Sequence, residues 1–137
     1  MTTVVDASVA VRWFVHESGH AQALVLLDRQ DDLFAPDCIV PEVVGAVWER
    51  IRNGRICGDH GSAIVAAITS GVPSLIPVAE FAEEALRHTA RMDRFPHLAF
   101  YLSAAESLNA DFVSADEAVV RIACEVFDPE RVRLLSD

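Results

Sequence analysis

Apolar positions along this chain fall into short runs separated by longer stretches of helical period. Thr2–Val5 is β-branched throughout, which favours a strand buried on both faces. Asp6 ends that run, and Ala7–Phe14 can wind on as a helix. Ser18 and Gly19 open a helical stretch to about Asp31, with Ala21, Leu24, Val25 and Leu27 apolar. Leu33–Ala35 reads as a second strand that stops at Pro36-Asp37. Ile39–Arg52 is amphipathic, with Val40, Val43, Val44, Val47 and Ile51 on its inward face, and Asn53-Gly54 closes it.

Cys57–Ser70 predicts another helix, ended by Gly71, and Leu75–Val78 a short strand whose Pro77 points to a sheet edge. Ala79–Met92 is helical, and Phe95-Pro96 starts a further helix to Leu108. Asp111–Ala115 is a strand, Asp116–Glu125 a helix and Val132–Leu135 a final strand. Five strands alternating with helices predict a parallel sheet covered on both faces. The expectation is one α/β domain over residues 1–137, a three-layer α/β/α sandwich with a five-stranded parallel sheet.

Composition narrows the class. With 137 residues, 52% of them hydrophobic and 23% charged, the chain can bury a real core as one domain. No apolar run approaches the roughly twenty residues that span a bilayer, and no signal-peptide pattern opens the chain, so a cytoplasmic protein with no membrane partner is expected. Cys38, Cys57 and Cys124 form no CxxC pair and are expected to be buried free thiols. The net charge is −10, and all eleven basic residues are Arg. That balance argues against broad duplex binding, which depends on neutralising many phosphates. It suits a protein that gathers carboxylates around a cation or docks a basic partner.

The candidate chemistry sits at strand ends. Asp6 follows the first strand, Asp116 stands in the same relation to the fourth, and Glu42 lies in the first turn of the Val-rich helix after the second. Open α/β sheets place their ligand crevice at that carboxyl edge. Three acids meeting there are costly unless a cation sits between them, and oxygen ligands suit Mg²⁺ or Mn²⁺. Such an ion polarises a phosphoryl oxygen and activates water, so phosphodiester hydrolysis is the matching chemistry. The plainer reading is that each acid caps a helix N-terminus, with Ser8 an alternative cap beside Asp6.

Val4-Val-Asp6-Ala-Ser8-Val-Ala-Val-Arg-Trp-Phe14, Pro41-Glu42-Val-Val-Gly-Ala-Val-Trp48, Arg52-Asn-Gly-Arg55 and Ala104-Ala-Glu-Ser-Leu108 through Phe112-Val-Ser-Ala-Asp116 resemble a PIN domain. The likeness is greatest to the VapC toxins of VapBC toxin–antitoxin pairs, and it runs almost end to end. It implies a five-stranded parallel sheet, a Mg²⁺- or Mn²⁺-dependent endoribonuclease, a homodimer and a small VapB-like antitoxin as partner. Carried onto this chain, the resemblance makes Asp6 the first metal-binding acid, Glu42 the second and Asp116 the fourth. Ser8 matches the small hydroxyl residue beside the first acid, and Ser114 the hydroxyl residue two before the last. The family's third acid falls on Leu98 here, with His97 just before it and Asp93 in the preceding segment as supporting candidates. A neutral imidazole ligates Mn²⁺ but suits Mg²⁺ poorly. The alternative function is therefore a degenerate PIN-fold protein, with weak or no nuclease activity, that binds protein or RNA. Phosphotransferases with a nucleophilic Asp after the first strand resemble Asp-x-Asp there, and Ser8 removes their second acid.

Arg87, Arg91 and Arg94 are spaced to share a helix face that could grip RNA phosphates, or form a solvated face with Glu83 and Glu84. Arg12 is a further RNA-binding candidate, and could approach the crevice or pair with an acid. Arg50, Arg52 and Arg55 complement the dipole at the end of the Glu42 helix. Trp13 and Trp48 read as packing residues, Phe14, Phe100 and Tyr101 as core or dimer contacts, and His16, His20, His60 and His88 as surface residues.

Overall fold

Strand β1 (Thr3–Val5) is buried on both faces, as its unbroken β-branched run requires. The structure, a computed structural model, describes residues 2–93 and 97–135. β1 lies at the centre of a parallel five-stranded sheet ordered β3 (Ser74–Ile76), β2 (Leu33–Pro36), β1, β4 (Asp111–Ser114), β5 (Val132–Leu134). β1 pairs with β2 through Val4 and Phe34, and with β4 through Val5 and Val113. The chain therefore builds outward from β1 to one side and then crosses to the other. The switch point between β1 and β4 is where such sheets open a crevice at their carboxyl edge.

Helices α1 (Ala7–Arg12), α2 (His20–Leu27), α3 (Ile39–Arg52) and α4 (Gly58–Thr69) pack in series, α1 on α2 and α3, and α3 on α4. Helices α5 (Ala82–Met92), α6 (His97–Leu108) and α7 (Glu117–Val126) pack on one another, with α6 lying across β1, β2 and β4. The result is the expected three-layer α/β/α sandwich. α6 is buried almost all round through Ala99, Tyr101, Leu102, Ser103, Ala104 and Ala105, whose small residues allow close approach to the sheet. Among the described residues no helix is long and apolar enough to cross a membrane.

Several expectations change. The helix expected from Ser18 to Asp31 is shorter, because Gly19 enters it with φ +90° and the polar run after Leu27 has no apolar face to bury. A 3₁₀ turn over Gln30–Asp32 replaces its last part. On α3 the buried stripe is Ile39, Val43 and Val47, while Val44 and Trp48 turn outward at 47% and 58% exposure. Both stand off that stripe, over a groove against α4. His88 is buried, since it shares the inward stripe of α5 with Ala85 and Met92, and its Nε2 lies 3.7 Å from Glu106. The cysteines are free, but Cys57 is exposed and accepts the His60 N–H at the start of α4, and Cys38 and Cys124 are only half-buried. β3 is an edge strand, with Pro77 just beyond it. The expected helix start at Phe95-Pro96 lies outside the described residues.

Candidate active site

Asp6 joins β1 directly to α1, so its side chain serves a helix start and the sheet edge at once. Its Oδ1 accepts the Val9 N–H at 3.2 Å and the Ser8 hydroxyl at 2.5 Å. Its Oδ2 accepts the Ser114 hydroxyl at 2.6 Å, a contact made available by the in-register pairing of β1 with β4. The two serines also tie the neighbouring turn: Ser8 Oγ accepts from the Ala115 N–H at 2.9 Å, and Ser114 Oγ from the Asp116 N–H at 3.1 Å. Burial pushes the Asp6 carboxyl above its ordinary range, against the opposing pull of Ser114, Ser8 and the Val9 amide.

Glu42 comes to the same edge from the first turn of α3. Tyr101 of α6 donates its hydroxyl to Glu42 Oε1 at 2.6 Å, and His97 Nδ1 lies 3.5 Å from Oε2. Oε2 is buried and has no hydrogen-bond partner among the described residues. Burial raises the Glu42 carboxyl, Tyr101 and His97 lower it, Asp6 raises it again, and the net direction is up. The Tyr101 phenol is held well above its usual range by burial and by Glu42, so it stays a donor at neutral pH.

Asp116 is the N-cap of α7, accepting from Ala118 N at 2.9 Å and Val119 N at 3.4 Å, and it is exposed. Asp6, Glu42 and Asp116 line one cavity of about 170 Å³, together with Ser8, His97, Leu98 and Tyr101. The three acids singled out from sequence thus share one recess, and both His97 and Leu98, the two occupants considered for the third-acid position, border it. The capping reading also holds for Asp6 and Asp116. Among the described residues, no group of three or more His, Cys, Asp or Glu stands close enough as placed to hold a metal ion.

Other expected residues lie elsewhere. Asp93 ends α5 in a left-handed conformation (φ 53°), is exposed, and is absent from the cavity wall. Arg87 is exposed and 3.5 Å from Glu84, Arg91 is exposed, and neither lines the recess, which fits the solvated-face alternative. Arg94 lies outside the described residues. Arg12 does not line the recess of the three acids but does pair with another acid, Glu17, at 3.7 Å, and it donates to the carbonyls of Ser8 (2.7 Å) and Ser18 (2.8 Å). Arg50 and Arg55 also do more than face a helix dipole, for both pair with Glu17 at 2.6 Å.

Two residues carry roles that the sequence reading did not assign. Tyr101, expected as a core or dimer contact, orients Glu42. The signal was present, since Tyr101 lies one helical turn after His97 and on the same face. Glu17 collects three guanidinium groups and links the loop after α1 to α3. Burial raises its carboxyl, but Arg50, Arg12 and Arg55 outweigh that and hold it below the ordinary range.

No family model and no curated protein matches the chain. Its fold does match a solved structure, the crystal structure of PAE2754 from Pyrobaculum aerophilum, with a TM-score of 0.67 at 20% sequence identity, covering 95% of this chain and 92% of that one. At that identity, what the two chains share is the α/β/α fold.

Proposed function

We propose that this chain is a divalent-metal-dependent endoribonuclease of PIN-domain type, the toxin of a VapBC-like toxin–antitoxin pair. One observation carries the reading: Asp6, Glu42 and Asp116, from three distant segments, line a single recess at the carboxyl edge of the sheet. Two of them are raised by burial, and Asp6 raises Glu42 further, so the cluster favours a positive occupant. The donor set fits a hard cation, because it is made of carboxylate oxygens and one of them, Glu42 Oε2, is buried without a hydrogen-bond partner among the described residues. Asp6, Glu42 and Asp116 would hold Mg²⁺ or Mn²⁺. When bound, such an ion supplies charge stabilisation at a phosphoryl oxygen and a lowered pKa for water.

The chain's own residues prepare the recess. Ser8 and Ser114 fix both oxygens of Asp6, and Tyr101 fixes Oε1 of Glu42. Leu98 and Val119 give the recess apolar wall, which strengthens every electrostatic contact inside it. Purified protein should cleave a mixed RNA pool in Mn²⁺ or Mg²⁺. Cleavage should stop in excess chelator and in Asp6→Asn, with the fold retained. Full activity in either condition would sink the reading.

A specific observation favours a second reading, the binding module. Leu98 stands where the family resemblance expects an acid, and among the described residues no three His, Cys, Asp or Glu side chains close on one point. That reading expects no cleavage in any divalent metal, with partner binding retained. Under both readings a small antitoxin offers Arg or Lys to the acidic recess, where desolvated charge pairs contribute roughly 1.5–7 kcal/mol each. Co-expression with the neighbouring open reading frames should yield a stable complex, with the chain a cytoplasmic homodimer. Failure with every neighbour would remove the antitoxin from the account.

A further inference from the structure

Beside the acid recess, sharing the turn that carries Asp116, is a second cavity of about 320 Å³. Ala115 and Glu117, the chain neighbours of Asp116, form one side, Leu134 and Leu135 at the end of β5 another, and Arg12 and Gly19 close it. Arg12 is preorganised there, with Nη1 on the Ser8 carbonyl and Nε on the Ser18 carbonyl. Among the described residues it is also the cation of its cluster that stands farthest from Glu17. Glu17 is engaged bidentately by Arg50 (2.6 and 3.0 Å) and again by Arg55 (2.6 Å), and stands 3.7 Å from Arg12. Three guanidinium groups around one carboxylate leave positive charge over, in a chain whose net charge is −10.

Gly19 keeps this arrangement close. Its φ is +90°, and a Cβ there would sit 3.2 Å from Arg12 Cδ and 3.4 Å from Leu135 Cδ2. Leu134, 37% exposed, offers apolar surface to water at the same cavity. A fixed guanidinium, an apolar wall and one carboxylate, set next to a cluster of acids, match the parts of a nucleotide: phosphate, base or ribose face, and a hydroxyl or amine donor.

We infer that this cavity is a nucleotide subsite, which seats the RNA nucleotide adjoining the scissile bond with its phosphate on Arg12. The identity of the scissile bond rests on the nuclease reading, whereas nucleotide binding does not. Leu134 and Leu135 take the base or sugar face. Glu117 accepts from a hydroxyl or exocyclic amine and, by repulsion, keeps the phosphate on the Arg12 side.

The test is a ¹⁵N and methyl NMR titration of the metal-free protein, in chelator, with the four ribonucleoside 5′-monophosphates and with inorganic phosphate. The Arg12 Nε–H, held on a carbonyl, should give its own signal. It should shift together with the Gly19 amide and the Leu134 methyls, and nucleotides should bind more tightly than phosphate. Leu134→Glu places a negative charge at an exposed position and should weaken nucleotide binding about fivefold or more. No shift at these residues, equal affinity for inorganic phosphate, or unchanged affinity in Leu134→Glu would each overturn the subsite, even if RNA is cleaved. Shifts as described in a protein that cleaves no RNA would uphold the subsite and remove the nuclease reading.

Discussion

Tyr101→Phe isolates one contact. The phenol is buried, and its hydroxyl reaches Glu42 Oε1 at 2.6 Å. Deleting it leaves the ring packing against Phe112 in place and strips Glu42 of its hydrogen-bond donor. A hydrogen bond to a charged group contributes about 1.5–3 kcal/mol, and one pKa unit corresponds to about 1.4 kcal/mol. The Glu42 carboxyl, already raised by burial, should therefore rise further once the donor is gone. The acid limb of the pH–rate profile for RNA cleavage should move up with it. Carbon-detected NMR titration of the Glu42 carboxyl in metal-free protein reads the shift without depending on activity. Stability should fall by about 1.5–3 kcal/mol at pH 8 and by less at low pH, where Glu42 is protonated and the lost bond is a neutral one. A Glu42 titration and an acid limb that stay put, alongside an unchanged melting temperature, would refute the claim that Tyr101 orients an ionised Glu42.

Leu98→Asp restores an acid at the wall of the recess and should tighten Mn²⁺ binding about tenfold and raise cleavage, with the gain abolished by adding Asp6→Asn; wild type binding metal as tightly, or a variant that merely unfolds, would count against it. Glu17→Gln leaves three guanidinium groups without their carboxylate and should cost about 2–4 kcal/mol in denaturant unfolding at pH 7. Because the folded Glu17 carboxyl lies below its ordinary value, this stabilisation is present above that value and lost as pH falls through the folded pKa, so the gap between wild type and variant should close in acid. Asp6 has the opposite sign: its folded carboxyl is raised, so its contribution is present below the ordinary aspartate value and lost as pH rises through the folded pKa. Asp6→Asn should therefore flatten the decline of melting temperature from acid to neutral pH in chelator, and an equally steep decline would argue against the buried charge.

The sheet is legible because its strands are short apolar runs, β-branched throughout in β1, and are punctuated by Asp6, Pro36 and Asp116. The three acids were readable because strand ends in a parallel sheet share one edge, whatever the sequence separation. What periodicity could not convey was the choice among apolar residues that stand near a face without belonging to its stripe. Val44 and Trp48 turned outward, and His88 turned inward because Ala85 and Met92 define its stripe. Tyr101 reads as a packing residue because burial and hydrogen bonding are compatible in a phenol, and sequence alone does not say where the hydroxyl ends. Glu17 is hidden for a different reason: its two closest partners, Arg50 and Arg55, lie 33 and 38 residues away and are brought to it by the packing of α1 against α3.

The central claim is that Asp6, Glu42 and Asp116 act together on one cation. Its most direct test is calorimetric titration of the purified chain with Mn²⁺, set beside Asp6→Asn, Glu42→Gln and Asp116→Asn. One site is expected in the wild-type protein, with a loss of binding in each variant while the fold is retained. Saturable binding that survives all three substitutions, or no binding by the wild-type chain, would contradict it.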